Sequence, residues 1–322
     1  MKPWVGTILG ALLLGSGCAP RYQVHSLPAA SRPSNERVLT VDYFKSDAPR
    51  LEADRPNAFT VTAEARDVEI EVVGWKEAKA RRPAQQRARS ILIAWDQSAS
   101  LEVTDPAMRR FEAGARLIQD LPNDARVGLV NFASLGFEYA DYDIRAPMGS
   151  PKSQLQLALN LLRRSEFSFH GTPIWNTLYG AIPQMLGSEP DTRERWVILF
   201  TDGQNETVGV SRTEHEALQV AQQHRVRLIF VLLGNEQSIP NYGAVVRTLE
   251  YLASATGGAV IAADEAQDLN QAFGEALDTL EYVPVHRLHL RVRKAGGFRR
   301  GETLRLRVQA VGGKERVVTV RL

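Results

Sequence analysis

The chain is nearly without cysteine. One residue, Cys18, stands among 322, which excludes an intramolecular disulfide and any zinc site built from several thiolates. An excess of either charge is missing too: 39 lysines and arginines face 37 aspartates and glutamates, a formal net charge of +2. Such a balance leaves no electrostatic footprint for nucleic acid, and no DNA- or RNA-binding motif occurs. The apolar run at the start, Val5 to Leu14, is too short to span a bilayer as a permanent helix. No His-Glu-x-x-His helix, phosphate loop, fitting Ser-His-Asp spacing or second metal cluster is found, so the common hydrolase layouts have no support. What is present is 44% apolar and 24% charged residues, a globular mixture. The length suits one large domain with a smaller one.

The first residues read as an export signal, residues 1–17. Lys2 supplies the positive end, Val5 to Leu14 the short apolar core, and Gly15, Ser16 and Gly17 the small residues before a cleavage point. A cysteine at that point resembles the lipobox of bacterial lipoproteins. The resemblance implies that Cys18 becomes the lipid-bearing first residue of a membrane-anchored chain. Gly15 occupies the place where that pattern prefers leucine, with Leu14 one position earlier. Ala19 follows the cysteine instead of an inner-membrane-retaining aspartate, so the expected location is extracytoplasmic, on the outer membrane of the cell envelope. Residues 18–56, rich in Pro, Ser, Ala and Arg, read as a tether with a strand-like patch from Val38 to Phe44.

Hydrophobic periodicity changes twice along the rest. Phe59 to Ala65 alternates, and Val68, Ile70 and Val72 do so again, so residues 57–75 read as half-buried strands. Residues 76–89 are basic, contain Pro83 and read as a linker. From Ser90 the rhythm is different. Ile91 to Trp95 and Trp196 to Phe200 are near-continuous apolar runs, as expected of strands buried on both faces of a parallel sheet. Thr104-Asp105-Pro106 reads as a helix start, and Phe111, Ala115, Ile118 and Leu121 repeat at helical spacing. Further strands are expected at Val127 to Phe132, Phe137 to Tyr142, Leu228 to Leu233 and Ala259 to Ala262. Helices are expected at Gln154 to Leu162, Ile174 to Met185, Ser211 to His224, Tyr242 to Ala255 and Leu269 to Leu280. Alternation of this kind predicts an α/β fold, a doubly wound and mostly parallel six-stranded sheet over residues 90–282. Residues 283–322 return to period two, with turns at Gly296-Gly297 and Gly312-Gly313. The two flanks are therefore expected to fold together as a small β-sandwich, with the α/β domain inserted between them. Arg291, Arg293, Arg305 and Arg307 on the last strands read as a solvated sheet face.

Chemistry concentrates at three separated points. Asp96-Gln97-Ser98-Ala99-Ser100 ends the first buried strand, Thr201-Asp202-Gly203 ends the fourth, and His170-Gly171-Thr172-Pro173 opens a helix between them. Ligands of doubly wound sheets sit beyond the carboxyl ends of the strands, where the strand order reverses. With strand order 3-2-1-4-5-6, Asp96 and Asp202 share one crevice. Asp96, Ser98, Ser100, Thr172 and Asp202 then form an all-oxygen donor set, which suits one Mg²⁺, Mn²⁺ or Ca²⁺ ion and disfavours zinc. Two carboxylates offset the dication, and a third is left for a partner to bring. Taken alone, Thr-Asp-Gly is an ordinary strand-end turn and Asp-x-Ser-x-Ser a helix cap; their joint placement makes the case. His170 and Trp175 flank Thr172 and are candidates for a contact rim. Asn205 and Glu206, just past Asp202, are assigned no role.

This pattern resembles the metal-ion-dependent adhesion site of von Willebrand factor A domains. Asp96, Ser98, Ser100, Thr172 and Asp202 fill its five places in order, and Val127 to Phe132 and Ala253 to Gly258 are similar to the family's second strand and its approach to the last strand. The resemblance covers residues 90–282. It implies a non-enzymatic module that captures an acidic group of a protein partner through a divalent cation, with Ser98, Ser100 and Thr172 at or near the ion and Asp96 and Asp202 often acting through water. Two alternatives remain: an envelope scaffold whose metal only stabilises the fold, and a metal-assisted hydrolase with Asp96 and Asp202 flanking a water.

Overall fold

In the computed structural model, residues 24–26, 35–45, 57–81, 88–137, 140–164 and 171–322 are described. The export signal, Cys18 and His170 lie outside these residues. Four strands precede the α/β region: β1 (Val24–Ser26), β2 (Glu36–Phe44), β3 (Phe59–Ala63) and β4 (Val68–Arg81). Two boundaries read from composition need correction. The strand-like patch Val38 to Phe44 is strand β2, and because Leu39, Val41 and Tyr43 are fully buried, the folded region begins before residue 57 and not after a tether that ends at residue 56. Strand β4 continues to Arg81 through half of the expected linker. Its exposed Lys76, Glu77, Lys79 and Arg81 resemble a solvated connector in composition, whereas Ala80, on the face opposite Glu77, Lys79 and Arg81, is buried. Charged residues on a sheet-edge strand discourage pairing with other chains, and here they hide the strand from a composition-based reading.

The α/β unit comprises residues 82–281. In chain order it contains β5 (Arg89–Asp96), α1 (Leu101–Thr104), α2 (Arg109–Asp120), β6 (Arg126–Phe137), β7 (Ala140–Ala146), α3 (Lys152–Arg164) and α4 (Ile174–Ala181). A π-turn at Ile182–Leu186 extends α4 and is followed by β8 (Glu194–Thr201), α5 (Glu214–Gln223), β9 (Val226–Leu233), α6 (Tyr242–Thr256), β10 (Ala259–Ala263) and α7 (Leu269–Glu281). The sheet order is β10-β9-β8-β5-β6-β7. All its pairings are parallel except β6 with β7. Every residue of β5 is buried, as a strand covered on both faces requires. Side chains of alternating direction feed two cores. Ile91, Ile93 and Trp95 pack with α2, α3 and α7, while Leu92 and Ala94 pack with α4, α5 and α6. No described helix is long and apolar enough to cross a membrane.

Two elements of this unit differ from expectation. The third strand lies at Ala140–Ala146 instead of Phe137 to Tyr142, with Tyr142 and Ile144, two residues apart, packed on the α4 side. The first long helix starts at Arg109, after the separate turn α1. Asp105 does cap it, but from four residues upstream. Its carboxylate accepts from the backbone amides of Arg109 and Arg110 at 2.8 and 3.0 Å. It also holds the buried Arg110 guanidinium at 2.8 Å.

After the α/β unit the chain forms β11 (Tyr282–Lys294), β12 (Thr303–Ala310) and β13 (Arg316–Arg321). Strand β11 lies between β2 and β4 in a four-stranded antiparallel sheet, and β12 lies between β13 and β3 in a three-stranded one. Leu39, Val41, Leu288 and Leu290 of the first sheet share a core with Val61, Leu306 and Val320 of the second. The flanking segments therefore build one sandwich, with residues far apart in sequence paired side by side. The late arginines are ion-paired across strands: Arg291 to Glu71 at 2.7 Å, Arg293 to Glu36 at 3.0 Å, Arg305 to Glu64 at 3.3 Å and Arg307 to Glu315 at 3.3 Å.

Strand β11 is the only partner of β4 and the inner partner of β2 among the described strands. Deleting residues 285–322 is expected to make Phe59 to Val73 protease-sensitive while the α/β unit stays resistant. Limited proteolysis with mass spectrometry checks this, and undiminished protection of Phe59 to Val73 would contradict the pairing.

Candidate metal centre

Asp96 is the last residue of β5, and Asp202 directly follows the last residue of β8. These strands are adjacent and parallel, with Trp95 beside Phe200, so the two aspartates emerge at the same end of the sheet. Asp96 is fully buried and Asp202 is 3% exposed. One oxygen of Asp96 accepts from the Ser98 amide at 2.7 Å, and the other from the Thr201 hydroxyl at 2.6 Å. Ser100 donates to Asp202 at 2.8 Å and lies 3.0 Å from the Ser98 hydroxyl. Thr104 donates to the second oxygen of Asp202. Asp96, Ser98, Ser100 and Asp202 thus occupy one connected cluster.

Thr172 reaches the same place from a third segment. It is buried, and a β-carbon on Gly203 would lie 3.5 Å from its hydroxyl oxygen. Its backbone forms an isolated antiparallel bridge with Glu206, the two amides donating reciprocally at 2.6 and 3.0 Å. Gly171 makes that approach possible. It has φ +81°, and a β-carbon there would sit 2.8 Å from the Glu206 carbonyl oxygen, a contact that other residues cannot make without displacement.

Trp175 does not stand on an exposed rim. It is 7% exposed and packs in the core on the α4 side, because the first turn of α4 rotates it inward. Thr104, Thr201, Asn205 and the Glu206 backbone all contact the site residues or their segments, and none of them is among the site residues expected from the sequence. Thr104 lies four residues past Ser100, one helical turn, which was the only local signal. The others act across 30 residues or more.

Electrostatics makes the cluster unusual. Burial, followed by the charge of Asp202, pushes the Asp96 carboxyl up to about 7 against the hydrogen bonds from Ser98 and Thr201. Burial also raises Asp202, opposed by the hydroxyls of Thr104 and Ser100 and the charge of Arg110. Two buried like charges resist ionising together, and a dication beside them removes that penalty. The donors are oxygens throughout. No group of three or more His, Cys, Asp or Glu positioned to hold a metal occurs among the described residues. The residues fit a hard divalent cation, which Asp96, Ser98, Ser100, Thr172 and Asp202 would surround.

A doubly wound sheet with an Asp-x-Ser-x-Ser loop, a threonine and a second aspartate at its switch point defines the class of α/β domains bearing a metal-ion-dependent adhesion site. The chain belongs to the von Willebrand factor type A domain family, whose model matches residues 90–275, more than half of its length. Its fold is similar to that of proximal thread matrix protein 1 from the mussel byssus, at 16% identity and a TM-score of 0.50, over 68% of this chain and 51% of that one. It is also similar to a von Willebrand factor type A protein from Catenulispora acidiphila, at 14% identity and a TM-score of 0.50, over 83% and 75% of the two chains. The chain spans about half the length of the mussel protein. No curated protein sequence matches it.

The raised Asp96 carboxyl carries a pH signature. Its contribution to stability is fully present below the ordinary aspartate range near 3.8 and is lost as pH rises through about 7, because the native state holds a proton there that the unfolded chain has released. Freed of divalent metal, the protein is expected to lose thermal stability relative to Asp96→Asn between pH 4 and 8, and to regain it at pH 8 when Mg²⁺ is added. Thermal melts across that range decide the matter, with parallel curves for the two proteins as the contrary result.

Proposed function

We propose that this protein is a metal-dependent interaction module of the cell envelope. Asp96, Ser98, Ser100, Thr172 and Asp202 would hold one Mg²⁺ ion, with Mn²⁺ or Ca²⁺ as substitutes, and an acidic group of a protein partner would complete the coordination. The observation that carries this reading is the meeting of two buried carboxylates, Asp96 and Asp202, with hydroxyl groups around them. Two carboxylates balance a dication once, and the neutral hydroxyls add no charge. A partner carboxylate is then attracted, where a third protein carboxylate would already have satisfied the ion. Magnesium is favoured by hard oxygen donors and small size. Membership of a family of interaction domains supports a non-enzymatic role.

The expected setting is the extracytoplasmic side of the cell envelope, at the outer membrane, reached through a lipid on Cys18. That part rests on the sequence Lys2 to Ala19 alone. Labelling cells with a palmitate analogue tests it: wild type should incorporate label and Cys18→Ala should not.

For the metal bridge, Asp96→Ala is expected to abolish Mg²⁺ binding by calorimetry and partner capture from membranes together. Capture that persists at full strength in excess EDTA would discard the bridge. Capture lost with metal separates this reading from a scaffold whose metal only stabilises the fold.

A further inference from the structure

We propose that Asn205 is a positioning residue of the metal centre, holding the Thr172 segment against the Asp202 segment by capping helix α4 from outside. The inference rests on the metal-binding reading above. The residue before the first turn of α4 is Pro173, which offers no side-chain cap. The first amides of a helix have no carbonyl partner within it, and a cap normally comes from the residue just ahead. Here the Trp175 amide donates instead to Asn205 Oδ1 at 2.9 Å, thirty residues away.

The placement is what gives this bond its role. Trp175 stands three residues after Thr172, and Asn205 three after Asp202. Together with the reciprocal Thr172–Glu206 bridge, the bond closes a ring whose members include both metal-facing segments. The seam continues away from the site. The Val208 amide donates to the Ser134 hydroxyl at 3.2 Å. Asn176 donates to the Val210 carbonyl at 2.9 Å and accepts from the Arg212 amide at 2.6 Å. Of the side chains in this seam, Asn205 is the one nearest in sequence to Asp202. Asp96 and Ser100 have direct side-chain bonds to Thr201 and Asp202, whereas Thr172 is tied in through backbone and through this cap. Loss of the cap frees the first turn of α4 and with it the threonine hydroxyl.

Residues that orient metal ligands typically cost ten- to a hundredfold in metal affinity when removed. Mg²⁺ titration calorimetry on the full chain is therefore expected to show about tenfold weaker binding for Asn205→Ala, with faster hydrogen exchange at the Trp175 amide. Asn205→Asp keeps an acceptor at the same reach and is expected to retain slow exchange and at least wild-type affinity. Gly171→Ala, which pushes on the Glu206 carbonyl, should weaken Mg²⁺ in the same direction and serves as the second probe if Asn205→Ala folds poorly. Ile261→Ala in edge strand β10 is the control, expected to lower the melting temperature but leave affinity within about twofold, as a site remote from the ligands should. Affinity within twofold of wild type for Asn205→Ala, or for Gly171→Ala where Asn205→Ala does not fold, overturns the positioning role, and so does an equal loss in Ile261→Ala. Wild type that binds none of Mg²⁺, Mn²⁺ or Ca²⁺ removes the metal centre itself and the positioning role with it. Wild type that binds normally while the Asn205 and Gly171 variants match it removes the positioning role alone.

Discussion

Two aspartates are buried side by side at one end of the sheet, and much of the α/β unit serves to keep them there. Burial of like charges opposes folding, so the surrounding structure has to hold Asp96 and Asp202 in place by other means. It does so with hydroxyls: Thr201 on Asp96, and Ser100 and Thr104 on Asp202. It also does so with apolar mass, since the strands that carry both residues are buried along their length. The aromatic group of Trp95, Phe111, Phe200 and Phe273 packs on one side of those strands. A rigid base of this kind makes the carboxylates answer to a cation rather than relax away from each other.

The three segments are joined by different kinds of bond. Asp96 and Asp202 are fixed by neighbouring parallel strands, whose register leaves no freedom. Thr172 comes from the start of a helix and depends on hydrogen bonds across the loop that follows Asp202. Side-chain and backbone bonds of that kind are individually modest, and a metal site sums them into one geometry. The sandwich built by the chain's two ends is a separate unit with its own core. Its late arginines pair with glutamates of neighbouring strands and turns.

Much of this could be read from the order of residue types. Apolar runs of five or six residues marked the central strands, because a strand covered on both sides has no polar face to show. Period-two stretches at both ends marked the sandwich. The oxygen-rich donors stood at strand ends, where doubly wound sheets place ligands. Errors arose where composition imitates something else. The outward charges of β4 imitate a linker, whereas the strand-like patch Val38 to Phe44 stands out from its Pro- and Ser-rich surroundings and is strand β2. Trp175 at a helix start looks like an exposed anchor until the helix phase is known.

By itself, the sequence determined the kind of chemistry: two carboxylates, three hydroxyls and no thiolate at the points where a parallel sheet turns over. That follows because residue identity fixes donor type and because hydrophobic period fixes the class of each element. Only the tertiary structure decided how the Thr172 segment is held. Its partners, Asn205 and Glu206, lie about thirty residues away and act partly through backbone atoms that every residue possesses. A bond between atoms common to all residues leaves no mark in the order of side chains, and it becomes visible only when the chain has folded and the two loops meet.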